Sequence, residues 1–193
     1  MDTTFLNKLK NSTPVIQQLE SFMDADDEMK EIADYIKRHN QHNEYIETER
    51  IKFLYSPKPK KDGSRYVIFE LFKRSDIDKM INDDYDFILT AFYDVWSKLE
   101  SEQKIIQLDK ALCGIDINVN DNTEPKPKKK APDSKEYVAN MLMYGPEKVM
   151  RISEQVDMAC QTALEQRKQD AKNKKHADND IDAVIPDGDN DVM

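Results

Sequence analysis

The sequence predicts an α+β domain: a small sheet of three or more strands packed with helices, followed by a helical C-terminal extension. Two observations predict it. The hydrophobic period switches from helical to extended and back within residues 26–117. A Lys/Pro/Asn-rich stretch at 118–133 then separates this region from a second helical pattern at 134–172.

The first segment, 1–25, is weakly helical. Phe5, Leu6 and Leu9 share a face, and Pro14 can start a second turn carrying Val15, Ile16, Leu19 and Phe22. Residues 26–39 (DDEMKEIADYIKRH) make a stronger helix, because Met29, Ile32, Ala33 and Ile36 fall on one stripe. Asp26, Asp27 and Glu28 suit its positive N-terminal end, and Lys37 and Arg38 its C-terminal end.

RIKFLYS (50–56) and SRYVIFELFKRS (64–75) are rich in β-branched and aromatic residues and read as strands, with PKPKKDG between them as a loop. YDFILTAFYDVW (85–96), introduced by Asn82-Asp83-Asp84, reads as a third strand. Ser101 is placed to cap the next helix. Ile105, Ile106, Leu108, Leu112 and Cys113 form its buried stripe, and Gly114 is expected to end it through a left-handed C-cap. After the linker come a helix at 134–143 and a longer one opening at Pro146, with Val149, Ile152, Val156 and Cys160 at helical spacing.

Charge is unevenly placed. The formal net charge is −9, and residues 176–193 hold six Asp with no Lys or Arg, so the rest of the chain is only about −3. Residues 173–193 are expected to be an acidic, disordered tail, having too little apolar surface to offset the ordering entropy. Its DNDIDA string opens like a calcium loop but lacks the turn glycine and the closing Glu.

Cys113 and Cys160 have no paired spacing and are expected to be reduced core thiols. The N-terminus has neither the basic region nor the apolar run of an export signal, and no window has the length of a membrane span. The expected location is the cytoplasm, with no membrane partner.

Site motifs are few. His39 and His42 stand near a helix end without evident Cys or acidic partners, and His176 lies in the tail, so all three read as surface histidines. No phosphate-binding glycine loop occurs, and no Ser/His/Asp arrangement can be assembled. Two basic clusters, Lys58/Lys60/Lys61 and Lys126/Lys128/Lys129/Lys130, lie in Pro-broken loops. They are the candidate contacts to a macromolecular partner or nucleic acid, against a plain reading as solvated linker charge.

The stretch LDKALCGID (108–116) on its own reads as the end of an amphipathic helix. The residues before it add more. An I-x-x-L strand, a polar loop, a second strand, Asp84-Tyr85-Asp86-Phe87, Trp96, Leu99 and Glu102-Gln103 lead in order to Asp109-Lys110-Ala111-Leu112-Cys113-Gly114. This order resembles the phage metallopeptidase family, which is zincin-like and carries D-H-E-L-C-H on the corresponding helix. The resemblance covers about residues 30–117 and implies a minimal zincin-like fold.

In the H-E-x-x-H signature two imidazoles one turn apart bind zinc, and the Glu between them polarises the attacking water. By the resemblance Lys110 stands at the first ligand, Ala111 at the general base and Gly114 at the second ligand. Pro132-Asp133 is the nearest counterpart of a downstream third-ligand motif, again without His. The implied protein is a degenerate, non-enzymatic member with no catalytic residue, no metal and no cofactor. The expected function is that of a phage-encoded module binding a host or phage macromolecule, a protein sooner than a nucleic acid, in the host cytoplasm. The alternative is a nucleic-acid-associated phage protein that contacts DNA through the Lys loops, with the acidic tail as regulator or recruiter.

Overall fold

A computed structural model describes residues 5, 19–81, 85–118, 126–132 and 136–182. Helix α1 (Asp27–His39) follows a two-residue strand β1 (Met23–Asp24). Strand β2 (Ile51–Ser56) leads to a hairpin of β3 (Lys60–Asp62) and β4 (Arg65–Val67), then to β5 (Phe69–Lys73). Helix α2 (Asp76–Ile81), strand β6 (Phe87–Phe92) and a single helical turn α3 (Tyr93–Trp96) precede α4 (Ser101–Leu112). A second hairpin joins β7 (Ile115–Asn118) and β8 (Lys126–Lys129), and the chain closes with α5 (Val138–Tyr144) and α6 (Pro146–Asp182).

The main sheet runs β1-β2-β6-β5. Its central pair, β2 and β6, is parallel, with Phe53 opposite Leu89, and antiparallel β5 sets Leu71 beside the same Leu89. The fold is therefore the expected α+β, with a helical C-terminal region. The core fills the space between sheet and helices. Met29, Ile32 and Ile36 of α1 are fully buried, as are Leu89 of β6 and Ile105, Ile106 and Leu108 of α4. Trp96 lies under this layer with its ring edge-on to Phe69.

Several elements depart from the periodicity. The run 64–75 is broken at Ile68 into β4 and β5, which belong to different sheets, because Arg65–Val67 pairs back on β3. Gly63, at φ 61°, makes that turn, so the supposed loop 57–63 supplies a strand. The third strand stops at Phe92. Helix α4 is capped by Glu100 in a capping box with Gln103, rather than by Ser101. Gly114 does not adopt the left-handed conformation expected of it. Part of the predicted linker is ordered as β8 against β7.

Helix α6 opens at Pro146 as expected and buries Val149, Ile152, Val156 and Cys160. Farther along, Arg167 is held bidentately by Asp94 at 2.5 and 2.7 Å, and its guanidinium lies over the Phe92 ring. Beyond it the side chains of 168–174 are exposed, yet the helix continues to Asp182, so residues 173–182 of the supposed tail are helical. Residues 183–193 and, of the expected helical segment 1–25, all of 1–18 but Phe5 fall outside the described residues; the rest of that segment is not helical, since 19–22 are irregular and Met23–Asp24 pair as β1 with β2. Among the described residues no helix is long and apolar enough to cross a membrane.

Candidate functional site

Helix α4 carries two different faces to the places where chemistry could occur. One face looks onto a cleft of about 770 Å³, walled by the β3–β4 hairpin, edge strand β5, the end of β8 and the first turns of α6. Lys110, Ala111 and Gly114 all line this cleft, as the zincin resemblance requires of the positions they occupy.

Their chemistry is far from a metal centre. Lys110 Nζ is 2.7 Å from Glu136 Oε2 and donates to Ser153 Oγ at 3.2 Å, so an ammonium with its own partners stands where the first imidazole would be. Ala111 offers no basic atom. A Cβ at Gly114 would come 3.0 Å from the Ala111 carbonyl, 3.0 Å from the Tyr137 hydroxyl and 3.3 Å from Leu71 Cδ2, tighter than ordinary contact. A side chain here would need these neighbours to give by a few tenths of an ångström. The residues do not fit the zinc of the H-E-x-x-H centre, because two ligands and the base are replaced and the space at position 114 is tight. Of the third-ligand counterpart, Pro132 lines the cleft and Asp133 lies outside the described residues.

The cleft is basic. Lys60, Arg65, Lys110, Lys129 and Lys130 line it against two carboxylates, Asp62 and Glu136, an excess of three positive charges in a chain of net −9. Lys60 and Lys129/Lys130 come from the two lysine clusters, so one hairpin from each flanks the same groove. Lys129 also donates to the Leu71 carbonyl on the β5 edge at 2.9 Å. Lys58, Lys61 and Lys128 are not among the lining residues, and the side chain of Lys126 is outside those described. The floor is apolar, formed by Val67, Phe69, Leu71 and Val156.

The other face of α4 holds a buried polar cluster. Asp109 has no exposure, and its carboxylate accepts from Asn40 Nδ2 at 2.9 Å, Asn43 Nδ2 at 2.5 Å and Asn140 Nδ2 at 2.8 Å. His42 Nε2 stands 3.4 Å from Asp109 Oδ1, and the ligand atoms of His42, Asp109 and Cys113 lie within 4.8 Å of one another. The Tyr144 hydroxyl accepts from Asn40, and burial beside Asp109 raises its pKa. Cys113 is buried as expected, but beside these polar groups and outside the apolar core cluster. The expectation that His42 lacks Cys and acidic partners is overturned. Its partners lie about seventy residues downstream, and only the packing of α1 against α4 brings them together.

No curated protein and no solved structure matches the chain. The family described as putative phage metallopeptidase matches over residues 20–157, which is most of the chain and includes every strand and α4. The chain belongs to that family.

Proposed function

We propose that this family member is a binding module without peptidase chemistry, whose remodelled cleft holds an acidic, extended segment of a partner protein. The observation that carries the reading is Lys110. A cation paired to Glu136 at the first ligand position disfavours a divalent metal there and instead contributes to an electropositive groove. The groove's apolar floor and its wall along edge strand β5 suit an extended peptide, whose apolar side chains can be desolvated while its carboxylates meet the lysines. A nucleic acid would use the same charges through its phosphates, but the enclosed apolar floor gives a duplex little to contact.

The test is binding of a fluorescent Asp/Glu-rich peptide, compared with a single-stranded oligonucleotide, at low salt and at about 0.15 M ionic strength. The peptide should bind, and Lys110→Ala and Lys130→Ala should each weaken it. Preferential binding of the oligonucleotide would favour the nucleic-acid reading instead. Cleavage of a peptide substrate that depends on added zinc and survives Lys110→Ala would sink the non-peptidase reading.

A further inference from the structure

We infer that His42, Asp109 and Cys113 form a binding site for a borderline-soft divalent cation of the zinc type, on the face of α4 turned away from the cleft. This inference does not rest on the function proposed for the cleft.

Spacing and distance support it together. Asp109 on α4 and Cys113, the helical-conformation residue that caps its C-terminal end and donates its N–H to the Asp109 carbonyl at 2.9 Å, are four residues apart and so present their side chains along one face. It is the same i, i+4 spacing as the Lys110/Gly114 pair, moved back by one residue and hence about 100° round the helix. The 3.4 Å between His42 Nε2 and Asp109 Oδ1 is long for a hydrogen bond. It is close to the roughly 3.3 Å that separates two ligand atoms each about 2.0 Å from one tetrahedral ion. The Cys113 sulfur is within 4.8 Å of both. A thiolate, an imidazole and a carboxylate form a donor set that suits zinc and excludes magnesium or calcium.

The surroundings are those of a supported ligand. Asn40 and Asn43 donate to Asp109 Oδ1 and Asn140 to Oδ2, which fixes the plane of the carboxylate as outer-shell donors do for a metal-bound carboxylate. Charge also asks for a cation. Asp109 is fully buried, and among the described residues the only group at ion-pair distance that can become positive is the His42 ring. On binding, the Cys113 thiol releases its proton to solvent, and a dication with one thiolate and one carboxylate leaves the buried site neutral. The His42 side chain is 27% exposed, so the ion has a route in from solvent on that side.

The experiment is a titration of chelator-treated, reduced full-length protein with cobalt(II) and then zinc(II). Cobalt should bind one per chain with a thiolate charge-transfer band and tetrahedral ligand-field absorption, both displaced by zinc. Cys113→Ser should abolish the charge-transfer band. His42→Ala, at the exposed edge, should fold normally and weaken binding by at least the roughly 10–100-fold typical of losing an outer-shell partner. Lys110→Ala should leave the cobalt titration unchanged, because Lys110 faces the cleft. The inference is overturned if no band forms at equimolar cobalt, if the band persists in Cys113→Ser, or if His42→Ala binds as tightly as the parent.

Discussion

Lys104 on α4 donates to both carboxylate oxygens of Glu28 on α1, at 2.8 Å each, with both side chains removed from solvent. The ammonium also lies 5.2 Å from the centre of the Trp96 ring. This clamp joins the two helices whose packing also assembles the Asp109 cluster. Removing one partner alone, as in Lys104→Met, should cost about 3–5 kcal/mol because it takes away the ammonium that neutralises a buried carboxylate. Glu28→Gln combined with Lys104→Met should recover much of that loss, and chemical denaturation of the three variants measures it.

Rebuilding the lost signature as Lys110→His, Ala111→Glu and Gly114→His should not by itself restore a zinc centre in the cleft. A side chain at 114 meets the Ala111 carbonyl, the Tyr137 hydroxyl and Leu71. Overpacking of this kind costs about 1–3 kcal/mol. Adding Tyr137→Phe should return part of the melting temperature. A triple variant as stable as the parent, with one zinc bound in the cleft, would contradict the account.

Gly145 joins α5 to α6 at φ 88°, in a conformation that L side chains rarely adopt. No atom lies within 4 Å of where its Cβ would be, so Gly145→Ala tests the backbone alone. It should destabilise by about 1–2 kcal/mol. Unchanged stability on thermal denaturation would show that the junction can relax.

Burial on α6, with Asp157 nearby, pushes the Cys160 thiol up from 9.0 to about 12. The raised folded value means that its contribution to stability is complete below the unfolded pKa near 9 and is lost as pH rises toward 12. Native-state labelling of Cys160 by a thiol reagent at neutral pH should therefore be far slower than in denaturant. In Cys160→Ala the alkaline loss of stability between those two values should be smaller than in the parent.

The parts of the fold that were legible are those where one period dominates. The stripe Met29/Ile32/Ile36 and the run IKFLYS could be read because burial on one side dictates their spacing. The break at Ile68 could not, since β4 and β5 are equally extended and differ only in their partners. Ser101 is the better cap by residue type, yet Glu100 takes that place because Gln103, three residues on, closes the capping box with it. In the site, Lys60 of one lysine cluster and Lys129 and Lys130 of the other line one cleft, but nothing in the spacing of two Pro-broken loops places them together. The cluster around Asp109 was illegible. Its members come from α1's C-terminal end, α4 and α5, and their meeting is a property of helix packing that no local spacing records.

Helix α6 has a consequence for how charge is distributed over the molecule. From Val156, which lines the basic cleft, to Asp182 the helix advances 26 residues, or about 39 Å. The helical positions Asp178, Asp180 and Asp182 are thus carried about 33–39 Å along the axis from the level of Val156. That is several times the screening length of roughly 8 Å at physiological ionic strength, so these three negative charges leave the field at the cleft lysines nearly untouched.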